Sequence, residues 1–190
     1  MNPPLAYVNR LSRKVQVARL LWAVAYYLLF RPTPRWGLNR WRSLILRAFG
    51  ARIGRGCRID PSCKIWAPWN LFMGDFCAIA ANVDCYNVAQ IIFGTKVAVS
   101  QRSFLCTASH DIRSVHRPLT TSPIRIENHV WVAAEAMVFP GVTLHEGCVV
   151  GARAVVLRDV PSWSVAAGFP ASVKGRRVVL DGHLLQVKKD

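Results

Sequence analysis

Histidine is the side chain best suited to take up and release a proton near neutral pH, because its unperturbed pKa lies at about 6.5. The chain has five, and they are not equivalent. His110 is followed at once by Asp111 and stands near the start of ASHDIRSVHRPLTTSP (108–123), which lacks the regularity found on either side of it. A long irregular segment costs ordering entropy and commonly carries function. Its first histidine is therefore the leading candidate for a general base. His116, inside the same stretch, reads as a loop residue near any bound ligand, and His129, His145 and His183 read as structural or surface residues. Zinc catalysis is the poorer reading, since it needs three converging protein ligands and an open position. His110 and His116 supply two. The six cysteines show no C-x-x-C spacing and are expected to be reduced, buried, small hydrophobes.

The elements that would hold His110 are written in a repeat. From residue 126 an aliphatic residue returns at every sixth position: Ile126, Val132, Val138, Leu144, Val150 and Val156. Four residues after each comes a small or β-branched companion, Val130, Ala136, Val142, Cys148, Ala154 and Val160. The first half carries the same ladder as Ile53, Ile59, Ile65, then Met73, Ile79, Cys85, then Phe93, Val99, Leu105. Two extra residues follow every third unit there, as expected if three units make one turn and one corner is enlarged. Its companions are Cys57, Cys63, Cys77, Val83, Ala89, Val97, Ser103 and Ser109, with Trp69 the exception. Neither a 3.6-residue helix nor a two-residue strand period produces this double ladder. It predicts a mainly β fold, a parallel β-helix of hexapeptide repeats in which stacked coils of short strands cover one another. Gly54, Gly74, Gly94 and Gly151 directly follow ladder positions and are expected to serve tight turns. The ladder breaks once, at 108–123, which predicts one extruded loop.

Charge is unevenly placed. The net charge is +15, and residues 1–59 hold twelve Lys or Arg and no acid; Asp60 is the first carboxylate. Such a patch suits an anionic partner. No nucleic-acid motif or aromatic interleaving accompanies it. The longest apolar run, Leu20 to Phe30, is eleven residues, short of the roughly 20 needed to span a bilayer. Upstream, Leu11, Val15, Ala18 and Trp22 fall at helical spacing among Arg10, Arg13, Lys14 and Arg19. A basic amphipathic helix of this kind either lies on an anionic membrane or packs its apolar face on the protein's own body. The chain thus divides into a basic helical segment (1–50), the β-helix (51–177) and a tail (178–190).

These residues resemble the hexapeptide-repeat acyltransferases, and more closely the sugar O-acetyltransferases of the colanic acid biosynthesis type. FGTKVAVSQRSFLCTASHD (93–111) looks like that subfamily's strand pair ending in Ser-His-Asp. IRIENHVWVAAEAMVFPGVTLHEGCVVGARAVVLRDVP (124–161) resembles its C-terminal coils, and AAGFPASVKGRR (166–177) its closing A-G-x-P-A segment and basic tail. The pattern W-R-x-x-x-L-R-x-F-G from Trp41 to Gly50 also matches. Ala133, Ala134 and Leu157 depart from the usual pattern.

The resemblance implies a left-handed β-helix, a homotrimer with sites between subunits, and transfer of acetyl from acetyl-CoA to a saccharide hydroxyl in exopolysaccharide biosynthesis. His110 takes the position of the catalytic base. Asp84 and Asn87, about one coil earlier, would contact the sugar or cap a corner. Asp111 would shape the loop or bind an acceptor hydroxyl, its side chain pointing away from that of His110 if the strand is extended. Trp131 would wall the acceptor pocket or brace the loop. Coenzyme A would lie along the C-terminal coils, with backbone groups near Ala133 and Ala152 on the pantetheine and Arg158, Arg176 and Arg177 on the phosphates. No metal is implied. The expected location is cytoplasmic, with peripheral contact at the inner face of the plasma membrane. The rival readings are a non-catalytic β-helix that assembles or binds membranes, and a γ-class carbonic anhydrase-like zinc enzyme.

Overall fold

A computed structural model describes residues 12–180, so Arg10, Leu11 and His183 lie outside the described residues. The ladder folds as its period demands. The chain winds into a left-handed parallel β-helix of five complete coils with three flat faces. On the first face Ile53, Met73, Phe93, Ile126 and Leu144 stack in register. Ile59, Ile79, Val99, Val132 and Val150 stack on the second, and Ile65, Cys85, Leu105, Val138 and Val156 on the third. Every one of these side chains is buried. The six cysteines are free and buried, as their positions imply.

Two details of the repeat differ from expectation. The glycines directly after the ladder are not needed for left-handed backbone. That conformation falls three residues after the ladder, at Phe76, Lys96 and His129 on one corner and at Arg102, Glu135 and Arg153 on the next. Gly74 is required by proximity: a Cβ there would sit 2.5 Å from the Gly94 carbonyl oxygen of the next coil. The second difference lies at the enlarged corner between the third and first faces. Its interior position is two residues after the ladder, so Ala67, Asn87 and Thr107 are fully buried there. Trp69, Ala89 and Ser109, the anticipated companions, are partly or fully exposed. The two extra residues move the inward-pointing position toward the start of the corner.

Neighbouring coils exchange hydrogen bonds in both directions: Gly54 donates to the Met73 carbonyl and Asp60 to Ile79, while Phe76 donates back to the Arg55 carbonyl and Lys96 to Asp75. The first coil has no coil before it, so the carbonyls along its open edge need donors from elsewhere. Helices α1 (Arg13–Ala25), continued by a π turn at Tyr26–Phe30, and α2 (Asn39–Ala48) cover that edge. Their side chains supply one donor for each face. Arg47 Nε donates to the Ile53 carbonyl at 3.2 Å, Arg42 Nε to Ile59 at 2.7 Å and Trp22 Nε1 to Ile65 at 2.7 Å. Arginine and tryptophan side chains are pure donors, so part of the acid-free charge is consumed in capping an edge of carbonyls. Arg42 is buried and also donates to Thr33 Oγ1, the Pro34 carbonyl and Asn39 Oδ1. Burial lowers its pKa, with Asp60 opposing.

At the other end, His145, Gly151 and Val155 donate to the carbonyls of Val160, Ala166 and Gly168. The strand Ser164–Ala167 extends the second face, and Ser172–Arg176 then runs back antiparallel to it.

Replacing Arg42 with Met leaves the Ile59 carbonyl without its donor. The expected loss is about 2–4 kcal/mol of unfolding free energy, read from denaturant titration. Exposed Arg40→Met, by contrast, should change stability by no more than about 0.5 kcal/mol.

Candidate active site at the hairpin corner

The extruded segment leaves the solenoid at the enlarged corner, directly after the third-face strand Phe104–Cys106. It is a β-hairpin and not an irregular loop: Ala108–His110 pairs antiparallel with Leu119–Thr121, with His110 opposite Leu119. Its base is sewn to the coil beneath. Thr107 Oγ1 donates to the Tyr86 carbonyl at 3.0 Å and accepts the Ala89 N–H at 2.9 Å. The Ser122 N–H returns to the Thr107 carbonyl at 2.9 Å.

His110 ends the outgoing strand with its ring exposed. Its Nδ1 lies 2.7 Å from the Arg117 carbonyl oxygen. A carbonyl oxygen only accepts, so Nδ1 carries the hydrogen, and the neutral ring keeps its lone pair on Nε2. That is the arrangement in which imidazole can take a proton at Nε2. Arg117 was not anticipated from sequence because its backbone does the orienting. The available signal was Pro118, which restricts the residue before it; Arg117 has φ +42°. Asp111 does not share the partner of His110. It pairs with Arg113 at 3.0 Å, which holds its carboxyl below the usual carboxylate range, while its N–H donates to the Pro118 carbonyl. It shapes the hairpin turn.

Asn87 stands one coil below Thr107 at the same corner. It is fully buried, its Oδ1 accepts the Ala67 N–H at 3.0 Å, and its Nδ2 donates to the Ala67 carbonyl at 2.6 Å. That is corner capping. Asp84 lies on the outer side of the third face, in register with Lys64 and Phe104. Trp131 is half-exposed on the second face, across the prism from the hairpin corner, and donates through Nε1 to Ser100 Oγ at 3.0 Å.

The anticipated cofactor residues are not gathered within one chain. Ala133 and Ala152 lie on the corner between second and third faces; the Ala133 N–H is committed to the Val150 carbonyl, and its carbonyl accepts from Ser103 Oγ. Arg158 is exposed on the hairpin corner two coils beyond His110. Arg176 is exposed at the end of the reversed strand. Arg177 braces the corner between first and second faces, donating to the carbonyls of His129 and Gly147 at 2.7 and 3.0 Å. Among the described residues no three His, Cys, Asp or Glu side chains cluster to hold a metal ion.

Comparison with known proteins places this geometry in context. No family model matches the chain. The chain is 41% identical over 158 residues, 83% of its length and 86% of the relative's, to WcaF of Escherichia coli (strain K12), provisionally named a colanic acid biosynthesis acetyltransferase. Two crystal structures share its fold. A hexapeptide-repeat acetyltransferase of Vibrio cholerae O1 biovar eltor, complexed with acetyl-CoA, superposes with a TM-score of 0.79 at 22% identity, over 90% of this chain and 93% of that one. A maltose O-acetyltransferase of Clostridium difficile 630 gives 0.75 at 22% identity, over 88% and 90%.

The hydrogen bond to Arg117 predicts the Nδ1-protonated tautomer for neutral His110. Nitrogen-15 histidine shifts should show a protonated Nδ1 and a bare Nε2. The reverse pattern would remove the geometric basis for a base at this position.

Proposed function

The chain belongs to the hexapeptide-repeat acetyltransferase family that includes WcaF, and from that premise we propose that it moves acetyl from acetyl-CoA to a hydroxyl of a saccharide, one that is lipid- or nucleotide-linked in exopolysaccharide assembly. The observation that carries the mechanism is the 2.7 Å contact between His110 Nδ1 and the Arg117 carbonyl. With Nδ1–H held by the backbone, Nε2 accepts the proton of the acceptor hydroxyl as its oxygen attacks the thioester carbon. The imidazolium then returns that proton to the departing thiolate of coenzyme A. The Arg117 carbonyl also stabilises the imidazolium, because its hydrogen bond strengthens as the ring gains charge. Acetyl-CoA supplies the activated acyl group.

The same reading accounts for the scatter of the cofactor candidates. Ala133 and Ala152 on one corner and Arg158 on another cannot line one groove of one chain; the corners of two neighbours in a homotrimer can.

The N-terminal helices extend the proposal to place. Their inner stripe, Trp22, Ala25, Tyr26 and Phe30, is buried on the β-helix. Their outer side exposes Val17, Leu20, Leu21, Val24 and Leu28, continued by Trp41 and Leu44 of α2, with Trp41 Nε1 bonded to the Leu29 carbonyl. No helix among the described residues is long and apolar enough to cross a membrane. An apolar face set in an acid-free basic segment suits the surface of an anionic bilayer. A second copy of the same face would instead bring like charges together.

Two experiments test these points. His110→Ala should lower acetyl-CoA turnover on its saccharide acceptor by about 100- to 10,000-fold, with unchanged melting and unchanged oligomeric state. Full retained activity would sink the assignment of the base. Wild-type protein should co-sediment with phosphatidylglycerol vesicles and lose that binding on Leu21→Glu with Leu28→Glu. If the double variant binds as wild type does, the membrane reading is wrong.

A further inference from the structure

Where α1 crosses the outer surface of the third face, a cavity of about 270 Å3 opens between them. Trp22, Tyr26 and Tyr27 wall it from the helix side, and Trp66, Asp84 and Tyr86 from the β-helix. The rings are set: Trp66 and Tyr86 meet edge-on at 6.1 Å, and the Arg19 guanidinium lies 4.1 Å over the Trp66 ring. Asp84 is the anomaly. Its carboxylate is half-buried, yet among the described residues it accepts no hydrogen bond and forms no ion pair within 4 Å. Lys64, its in-register neighbour, acts on it through space. Burial pushes the Asp84 pKa up, and Lys64 only partly opposes this. A carboxyl whose folded pKa is raised favours the fold at low pH, and that contribution is lost as pH rises through the raised value. At neutral pH the Asp84 charge therefore weakens the fold.

The chemistry of the walls selects the occupant. An anion would be repelled by Asp84, and a cation would meet Arg19 and Lys64. A neutral polyol fits both: its paired hydroxyls donate to the two carboxylate oxygens, and its C–H face lies on an aromatic ring. We propose that this cavity is a pyranose subsite, in which Asp84 receives two sugar hydroxyls and Trp66 with Tyr86 provides the stacking wall. It rests on the reading of the acceptor as a saccharide and adds where a second sugar unit of that acceptor is held. Asp84 pairs with Phe104 and Tyr86 with Cys106, on the strand that leads into the hairpin bearing His110. The subsite thus lies one coil below the base, beside the reacting sugar and not at it.

The test is a binding measurement that needs no turnover. Methyl glucoside, methyl galactoside and methyl fucoside are titrated calorimetrically into wild type, His110→Ala, Asp84→Asn and Trp66→Ala, without acetyl-CoA. At least one glycoside should bind wild type and His110→Ala alike, and bind Asp84→Asn and Trp66→Ala about tenfold more weakly or worse. Asp84→Asn should melt at the wild-type temperature or above it, an outcome a merely structural carboxylate would not give. No binding of any glycoside to wild type, wild-type affinity in Asp84→Asn, or a lowered melting temperature in that variant would each overturn the subsite. Loss of the subsite with His110-dependent acetyl transfer intact leaves the transferase reading standing. Glycoside binding with His110→Ala still fully active would do the reverse.

Discussion

The first coil of this β-helix has no coil before it, and the backbone carbonyls along that edge must find donors outside the coil-to-coil ladder. A parallel sheet edge cannot be left bare inside a protein, since buried unpaired backbone groups are costly. The carbonyls of Ile53, Ile59 and Ile65 need donors, and Trp22, Arg42 and Arg47 deliver one to each face. A carboxylate cannot serve those carbonyls. The acid-free stretch before Asp60, which looks in sequence like a surface made for an anion, is thus partly an internal requirement of the fold.

The second constraint is the narrowness of the prism. Ladder side chains fill it, and successive coils approach so closely that a Cβ on Gly74 would strike the carbonyl of Gly94. Nothing sizeable can be inserted in such a coil except at a corner, and only the third-to-first corner has slack. The hairpin springs from it. Asn87 and Thr107, the polar residues pointing inward there, turn their side chains to the backbone of that corner, so the hairpin rises from a rigid floor. A side chain carried on a hairpin, as His110 is, is positioned well only if the root of the hairpin is fixed.

Much of this was legible in the sequence. The steps of six and eight between Ile53 and Leu105 predicted three faces and the position of the enlarged corner, and the break after Leu105 located the excursion. What escaped was contact not encoded in side-chain type. The role of Arg117 is played by its carbonyl, so no residue preference at that position announces it. The glycines after the ladder were expected for a correct property and the wrong reason: backbone freedom and absence of a Cβ read alike until the next coil is placed. Asn87 left sugar contact and corner capping both open because its partner Ala67, twenty positions earlier, is a backbone neighbour only in three dimensions. The N-terminal helix offered two readings; its inner side packs on the β-helix, as the second requires, and its outer apolar side stays open.

The reversed strand Ser172–Arg176 has a consequence for growth of the rod. The two open edges of a parallel solenoid are complementary to each other head to tail, and uncapped copies would polymerise into filaments. Here the strand Ser172–Arg176 folds back over the last coil's edge on the second face, while the helices cover the opposite end. Among the described residues both ends of the rod are thus covered by the chain itself, and its flanks are the surfaces left open.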